Sequence, residues 1–314
     1  MVEKIAYKVA AYMTAYQELE AVDKCIGAIE RQSYPIEEIF IVDNSSNDLE
    51  LQHKYKNVTV DRHPENVGVA GGLNIAIRWA IEKGYDFLWL FDQDSEPGAD
   101  VLEKLLLKHQ ELSERGVKIG IIAPTIFEVN TQHEFPGYIF CDYQFVPKPG
   151  YLEIQDFYQC DGVITSGSLV NISAAKCVEL PKSEFFLDAV DYSYCMNFRK
   201  EGYKIVIVKD AMMKHRIGKY SKVKVRKRKG DGEEVTTFIC SPSRYYYACR
   251  NHTYFETRAA NKKMLYPAVK HRLKFSKMMI GRIISYEPDL VVPKIWACVI
   301  GTFDGLRGKL GKTW

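Results

Sequence analysis

Two carboxylates one residue apart, Asp92 and Asp94, close the apolar run Phe87-Leu88-Trp89-Leu90-Phe91. A short continuous apolar run between polar flanks predicts a buried strand, which puts both acids at its exit. Hard cations such as Mg²⁺ and Mn²⁺ prefer oxygen ligands, and Mg²⁺ commonly takes one or two protein carboxylates, with water and phosphate oxygens completing the shell. Asp92-Gln93-Asp94 therefore predicts a metal-diphosphate site holding Mn²⁺ or Mg²⁺. The structural alternative is that both acids cap a helix begun by Pro97, since Asp is favoured at N-caps and Pro in the first turn.

Other segments carry chemistry of the same kind. Asp188 and Asp191 stand three apart at the start of a predicted helix that runs to Glu201 and stops at Gly202. That spacing puts them on one face, fit either for proton transfer or simply for the positive end of the helix dipole. His215 follows the strand-like Ile205-Val206-Ile207-Val208 and is a candidate third metal ligand through its neutral imidazole. Asn66-Val67-Gly68-Val69-Ala70-Gly71-Gly72 opens a helix with three glycines, which either lets backbone approach a phosphate or lets the helix pack closely on a sheet. It is not the dinucleotide fingerprint, because the first strand-helix turn, Thr14 to Glu18, contains no glycine; a nicotinamide dehydrogenase is disfavoured. Asp161 to Val170, with Ser166, Gly167 and Ser168, reads as a strand with a Ser/Gly turn that could line a substrate pocket.

The elements that must position these residues alternate: strands at Lys8–Met13, Glu38–Val42, Val58–Val60 and Phe87–Phe91, with helices near Glu18–Gln32 and Ala70–Lys83. This order predicts an α/β fold with a doubly wound, mostly parallel sheet. Ligands of such sheets lie outside the carboxyl ends of the strands, so the exits Thr14-Ala15-Tyr16, Asp43-Asn44-Ser45-Ser46, Arg62-His63 and Asp92-Gln93-Asp94 are the positions to read. At 314 residues, 46% apolar and 26% charged, the chain has ordinary globular composition. Its eight cysteines form no C-x-x-C pair, which argues against structural zinc and a disulfide framework. The charged start, Met1-Val2-Glu3-Lys4, has no leader pattern and predicts a cytoplasmic protein.

Together these segments resemble the inverting family 2 glycosyltransferases of the GT-A fold, most closely their bacterial rhamnosyltransferase branch. The likeness runs in order over about the first 220 residues: Ala11 to Tyr16 with Asp43-Asn44-Ser45-Ser46, Asn66 to Asn74, Asp92-Gln93-Asp94, the Asp188/Asp191 segment and His215-Arg216-Ile217-Gly218. The resemblance implies that Thr14 and Tyr16 flank a pyrimidine base, that Asp43 accepts its imide N–H, and that Asn66, Gly71 and Gly72 meet the sugar-phosphate. It implies Asp92 on the ribose side, Asp94 and His215 with the metal, Asp191 as general base, and Gly167, Ser168 and Asp188 on the acceptor side. The family's base normally stands in an acidic pair, and here Val190 replaces its first member. By the same resemblance the donor is dTDP-rhamnose and the acceptor a lipid-linked saccharide of cell-surface polysaccharide synthesis. A glycosyltransferase using another nucleotide sugar, and a non-catalytic sugar-nucleotide or lipid-binding module, are the alternatives.

The net charge of +3 conceals an asymmetry. Lys214 to Lys229 holds nine Lys or Arg and no acid, and Arg258 to Trp314 holds twelve basic and three acidic residues. We expect a GT-A catalytic domain over 1–240, with its nucleotide-sugar half at about 1–100, its acceptor half at about 101–220 and a solvated basic loop at 214–232. A basic amphipathic helical region is expected over 241–314. Leu273, Phe275, Met278, Met279, Ile280, Ile283 and Ile284 interleave with Lys274, Lys277 and Arg282, a pattern that suits equally a packing helix or the headgroup layer of an anionic membrane, and the latter better than nucleic acid. In the Tyr/Arg-rich stretch before it, packing of the tyrosines against the catalytic domain is expected, with Arg244 and Arg250 as candidates to meet phosphate. The apolar run Leu290–Phe303 is too short to span a bilayer, so peripheral attachment at the inner face of the cell membrane is expected. No feature of the sequence sets an oligomeric state.

Overall fold

The computed structural model describes residues 6–51, 54–150, 154–216, 218–224, 234–287 and 289–314. In chain order the first elements are β1 (Val9–Ala15), α1 (Leu19–Glu30), β2 (Glu38–Asp43), β3 (Val58–Arg62), α2 (Gly68–Lys83) and β4 (Phe87–Asp92). Next come β5 (Ser95–Pro97), α3 (Val101–Glu114), β6 (Ile119–Glu128), β7 (Glu134–Phe135), β8 (Gly137–Cys141), β9 (Gln144–Lys148), β10 (Phe157–Cys160), β11 (Leu169–Asn171) and α4 (Ile172–Ala175). The last are α5 (Val190–Lys200), β12 (Lys204–His215), β13 (Lys219–Lys224), β14 (Glu234–Ile239), α6 (Pro242–Ala259), α7 (Leu265–Tyr286) and α8 (Val291–Arg307).

Contacts divide the chain into two compact units, one of residues 1–139, 146–183 and 191–216, the other of 140–145, 184–190 and 217–314. In the first, the main sheet runs β10-β12-β6-β11-β4-β1-β2-β3. β1 pairs in parallel with both β2 and β4, and β2 with β3. All seven residues of β1 are buried, as are five of six in β2 and in β4. That is why these strands read as continuous apolar runs and not as alternating ones. Because β2 and β3 lie on one side of β1 and β4 on the other, the strand order reverses at β1, and the crevice above its carboxyl end is the expected ligand position. The register sets Thr14 beside Asp92 and Ala15 beside Asp43.

Three local expectations are corrected. Pro97 ends a short strand that pairs with β12 and does not begin a helix; α3 starts at Val101. Asp92 and Asp94 therefore cap nothing, which removes the structural alternative for them. Within Asp161–Val170 the strand is confined to β11, from Leu169. The basic stretch after His215 is not simply a loop, since β13 and β14 pair antiparallel; Ile217 and residues 225–232 of that predicted loop lie outside the described residues.

The second unit packs α6, α7 and α8 around Tyr245, Tyr246, Tyr247, Cys249, Ile283, Ala297 and Cys298. Gly301 and Gly305 lie so close to the carbonyl oxygens of Tyr246 and Arg250 that a β-carbon at either would collide with them. Small residues four apart thus let the α8 backbone rest on α6. Several basic residues read as surface charge are internal. Arg250 is wholly buried and donates to the carbonyls of Glu184, Phe185 and Gly311, so it is not available to phosphate. Arg272 pairs with Glu256 at 3.1 Å and Lys294 with Glu287 at 2.8 Å, all four buried.

Candidate active site

The strand exits form a connected polar surface. Asp43 is buried, and its Oδ1 accepts the Ser45 N–H at 2.9 Å. Its Oδ2 makes no hydrogen bond among the described residues, although Arg62 Nε stands 3.8 Å away. A buried carboxylate oxygen without a donor is an acceptor looking for one. The Thr14 hydroxyl lies 2.6 Å from that of Tyr12. Tyr16 is exposed, and its backbone is clamped by the Gln93 amide, which accepts from Tyr16 N at 2.7 Å and donates to Tyr16 O at 3.2 Å. Asn66 has a left-handed backbone (φ 56°) and accepts the Gly68 N–H at 2.9 Å, while Asn44 accepts that of Val67 at 2.9 Å. Gln93, Asn44 and the Ser45 hydroxyl, which accepts Gln17 N–H at 2.7 Å, were not singled out by spacing. Their position at strand exits was the available signal.

Gly71 and Gly72 have a packing explanation. A β-carbon on Gly72 would meet the Tyr12 hydroxyl at 2.5 Å, and one on Gly71 would meet Val67 Cβ at 2.8 Å. Gly72 brings α2 against the sheet, whereas Gly71 makes room for Val67 at the start of the same helix.

Asp92, Asp94 and His215 converge although 120 residues separate Ser95 from His215. β5 runs antiparallel to the end of β12 with Ser95 directly opposite His215. The imidazole lies between the two acids, Nε2 at 3.6 Å from Asp92 Oδ2 and Nδ1 at 3.4 Å from Asp94 Oδ1. Burial pushes the Asp94 carboxyl up to about 6; His215 opposes this and the Asp92 charge adds to it. An ion there would be welcome, because it would remove the cost of a desolvated acid beside a like charge. Among the described residues no group of three or more His, Cys, Asp or Glu is placed to hold a metal ion by itself. Asp92, Asp94 and His215 could thus supply only part of a shell of oxygen and imidazole ligands, as suits a cation that takes its other ligands from diphosphate and water. A groove of about 520 Å³ opens beside Asp94, lined by Glu18, Lys24, Gln93, Lys214 and Arg216 among others.

Asp191 lies in the first turn of α5 and accepts the Tyr192 N–H at 2.9 Å. It lines a small cavity with Leu73, Leu90, Thr165 and Ser168. The neighbouring Ser166 hydroxyl accepts the Asp92 N–H at 3.1 Å, so one turn, Thr165 to Ser168, touches both the Asp191 cavity and the Asp92 exit. Gly167 (φ 82°) shapes that turn, and its carbonyl accepts the Trp89 indole N–H at 2.8 Å. The Ser168 hydroxyl donates to Ile164 O at 2.7 Å. Asp188 belongs to the second unit, where its Oδ2 stands 3.7 Å from Arg244 Nε. Phe186, Asp188 and Ala189 all have positive φ.

The family model for glycosyl transferase family 2 matches residues 11–176, more than half of the chain. The chain belongs to glycosyl transferase family 2. The fold of this glycosyltransferase is GT-A. Among solved structures, Staphylococcus aureus TarS 1-349 in complex with UDP-GlcNAc superimposes with a TM-score of 0.56 at 17% identity, over 95% of this chain and 81% of that one. GalNAc-T7 with UDP, GalNAc and Mn²⁺ gives 0.55 at 13%, over 68% of this chain and 43% of that one, less than half its length. At such identities the likeness concerns the fold alone. A curated relative, dTDP-rhamnosyl transferase RfbF of Shigella flexneri, is 26% identical over 310 residues, 96% of each chain.

Proposed function

We propose that this transferase is an inverting, metal-dependent rhamnosyltransferase that moves L-rhamnose from dTDP-rhamnose onto a lipid-linked saccharide. The observation that carries the donor assignment is the end-to-end similarity to a dTDP-rhamnosyl transferase. The unsatisfied Asp43 Oδ2 at the exit of β2 supports a pyrimidine N–H as its partner, with Thr14 and Tyr16 on the neighbouring strand end.

Inverting transfer is an in-line displacement, so the acceptor hydroxyl loses its proton on one face of the sugar while the nucleoside diphosphate leaves from the other. Asp191 is the base: it takes that proton, and a positioned base of this kind contributes about 10²–10⁴ in rate. Asp92, Asp94 and His215 Nε2 would hold Mn²⁺ or Mg²⁺, which supplies charge stabilisation to the departing diphosphate. Lys214 and Arg216, beside Asp94 in the groove, add fixed positive charge to the same oxygens. The Gly167-Ser168 turn, in the same unit as Asp191, bounds the acceptor side.

The proposed site of action is the surface of an anionic membrane. No acid occurs from Arg258 to Tyr286. The exposed residues of α7 include Lys270, Lys274 and Lys277 with Leu273, Met278 and Ile284. On α8, Val292, Trp296, Val299 and Phe303 are exposed at spacings of four, three and four, one stripe of a helix. Among the described residues no helix is long and apolar enough to cross a membrane.

The test is incubation with Mn²⁺ and a panel of nucleotide sugars, reading release of nucleoside diphosphate. Release from dTDP-rhamnose above all others is expected. Preference for a uridine or guanosine donor would overturn the donor assignment.

A further inference from the structure

Behind the acids runs a chain of buried hydroxyls that the proposed chemistry does not use. Ser166 and Ser95 are both wholly buried, and His215 is nearly so. The Ser166 Oγ accepts the backbone N–H of Asp92 at 3.1 Å, is hydrogen-bonded to Ser95 Oγ at very short range, and Ser95 Oγ lies 3.2 Å from His215 Nδ1. Three segments distant in sequence meet there. Ser95 is set opposite His215 by the β5–β12 ladder. Ser166 is set beside Asp92 because the turn before β11 pairs with β4, Gly167 N donating to Leu90 O at 2.7 Å and Leu90 N to Ser168 O at 2.9 Å.

An imidazole has two nitrogens, and the partner of one decides what the other offers. Unheld, the His215 ring could present either atom to either acid. With Ser95 Oγ engaging Nδ1 from the interior, a nitrogen that also stands 3.4 Å from Asp94 Oδ1, Nε2 is left to Asp92 Oδ2.

We propose that Ser95 and Ser166 are positioning residues: a two-hydroxyl relay that fixes the ring of His215 and selects Nε2 as its metal-facing nitrogen. This rests on the metal-site reading above. A ligating histidine is ordinarily held through its other nitrogen, and loss of that partner typically costs 10–100-fold in metal affinity. Here the partner is a serine hydroxyl backed by a second serine, which also ties the ring to the backbone of Asp92 itself.

The test uses the full chain and two readouts. Mn²⁺ binding in the presence of dTDP, followed by electron paramagnetic resonance, should weaken 10–100-fold in Ser95→Ala and in Ser166→Ala. In ¹⁵N-histidine spectra of the metal-free protein, with the His215 signal assigned by its loss in His215→Gln, wild type should show one neutral tautomer and Ser95→Ala a mixture of both. A purely structural serine would lower thermal stability and move neither readout. Wild-type Mn²⁺ affinity in both variants, or a mixed tautomer already in wild type, overturns the relay while leaving the metal site standing. Failure of wild type to bind Mn²⁺ overturns the metal-site reading and the relay with it.

Discussion

Asp94 should cost the metal-free protein stability, and replacing it by Asn should make the fold stronger while removing the proposed ion site. Its carboxyl is pushed up from 3.8 to about 6, chiefly by burial. Holding the ionised form at neutral pH then costs about 3 kcal/mol relative to an unfolded chain. The sign follows from linkage. Below the unfolded value both states carry the proton and there is no penalty; as pH rises through the folded value the penalty grows, and above it the penalty is constant. Metal-free Asp94→Asn should therefore melt higher than wild type at pH 7.5, by on the order of 5 °C. The difference should shrink between pH 6 and pH 4. Adding Mn²⁺ and dTDP at a hundredfold excess over their dissociation constants should raise wild type by about 2.7 kcal/mol and the variant by little. Differential scanning fluorimetry across pH, with and without the ion, reads both effects. A variant that melts lower than wild type at pH 7.5, or gains equally from Mn²⁺, would show that Asp94 is a structural acceptor and refute the reasoning.

Asp191→Asn should lower turnover by about 10²–10⁴ with dTDP affinity unchanged in calorimetry; turnover within tenfold of wild type rejects Asp191 as base. Gly72→Ala should destabilise by about 1–3 kcal/mol through overpacking against the Tyr12 hydroxyl. Tyr12→Phe in the same chain should recover much of that loss in chemical denaturation. Charge reversal at Lys270, Lys274 and Lys277 should abolish flotation with anionic liposomes, where each basic residue near the surface contributes about 1 kcal/mol; equal flotation of the variant would remove α7 from the membrane reading.

What was legible in the sequence is what burial and strand direction enforce. β1, β2 and β4 are buried on both faces, so their apolar runs end sharply at Thr14, Asp43 and Asp92, and the exits can be read one after another. Pro97 misled because a proline beside acids also suits the end of an edge strand, where no ladder N–H is required. The basic run after His215 hid an antiparallel strand pair because its apolar residues Tyr220 and Val223 stand three apart and give no strand alternation. In the last third, Arg250, Arg272 and Lys294 counted as surface charge because their partners are remote or unremarkable in sequence. Arg250 answers carbonyls 61 to 66 residues away. No periodicity announces such pairings.

The turn at Thr165 to Ser168 was the hardest part of the site to read, and the reason is topological. In a parallel sheet the residues that follow a strand face the ligand crevice, and sequence reading naturally searches there. β11 is inserted antiparallel between β4 and β6. Its direction is reversed, so the residues that precede it lie over the carboxyl ends of its neighbours, and those that follow it lie at the other end of the sheet. Asn171 consequently sits opposite Phe87 at the start of β4, whereas Ser166 reaches Asp92 at its end. The reversed strand is what delivers a hydroxyl to the Asp92 exit and a wall to the Asp191 cavity from a single turn. In a chain of this pattern the polar residues upstream of an inserted antiparallel strand therefore deserve the same scrutiny as those downstream of the parallel ones.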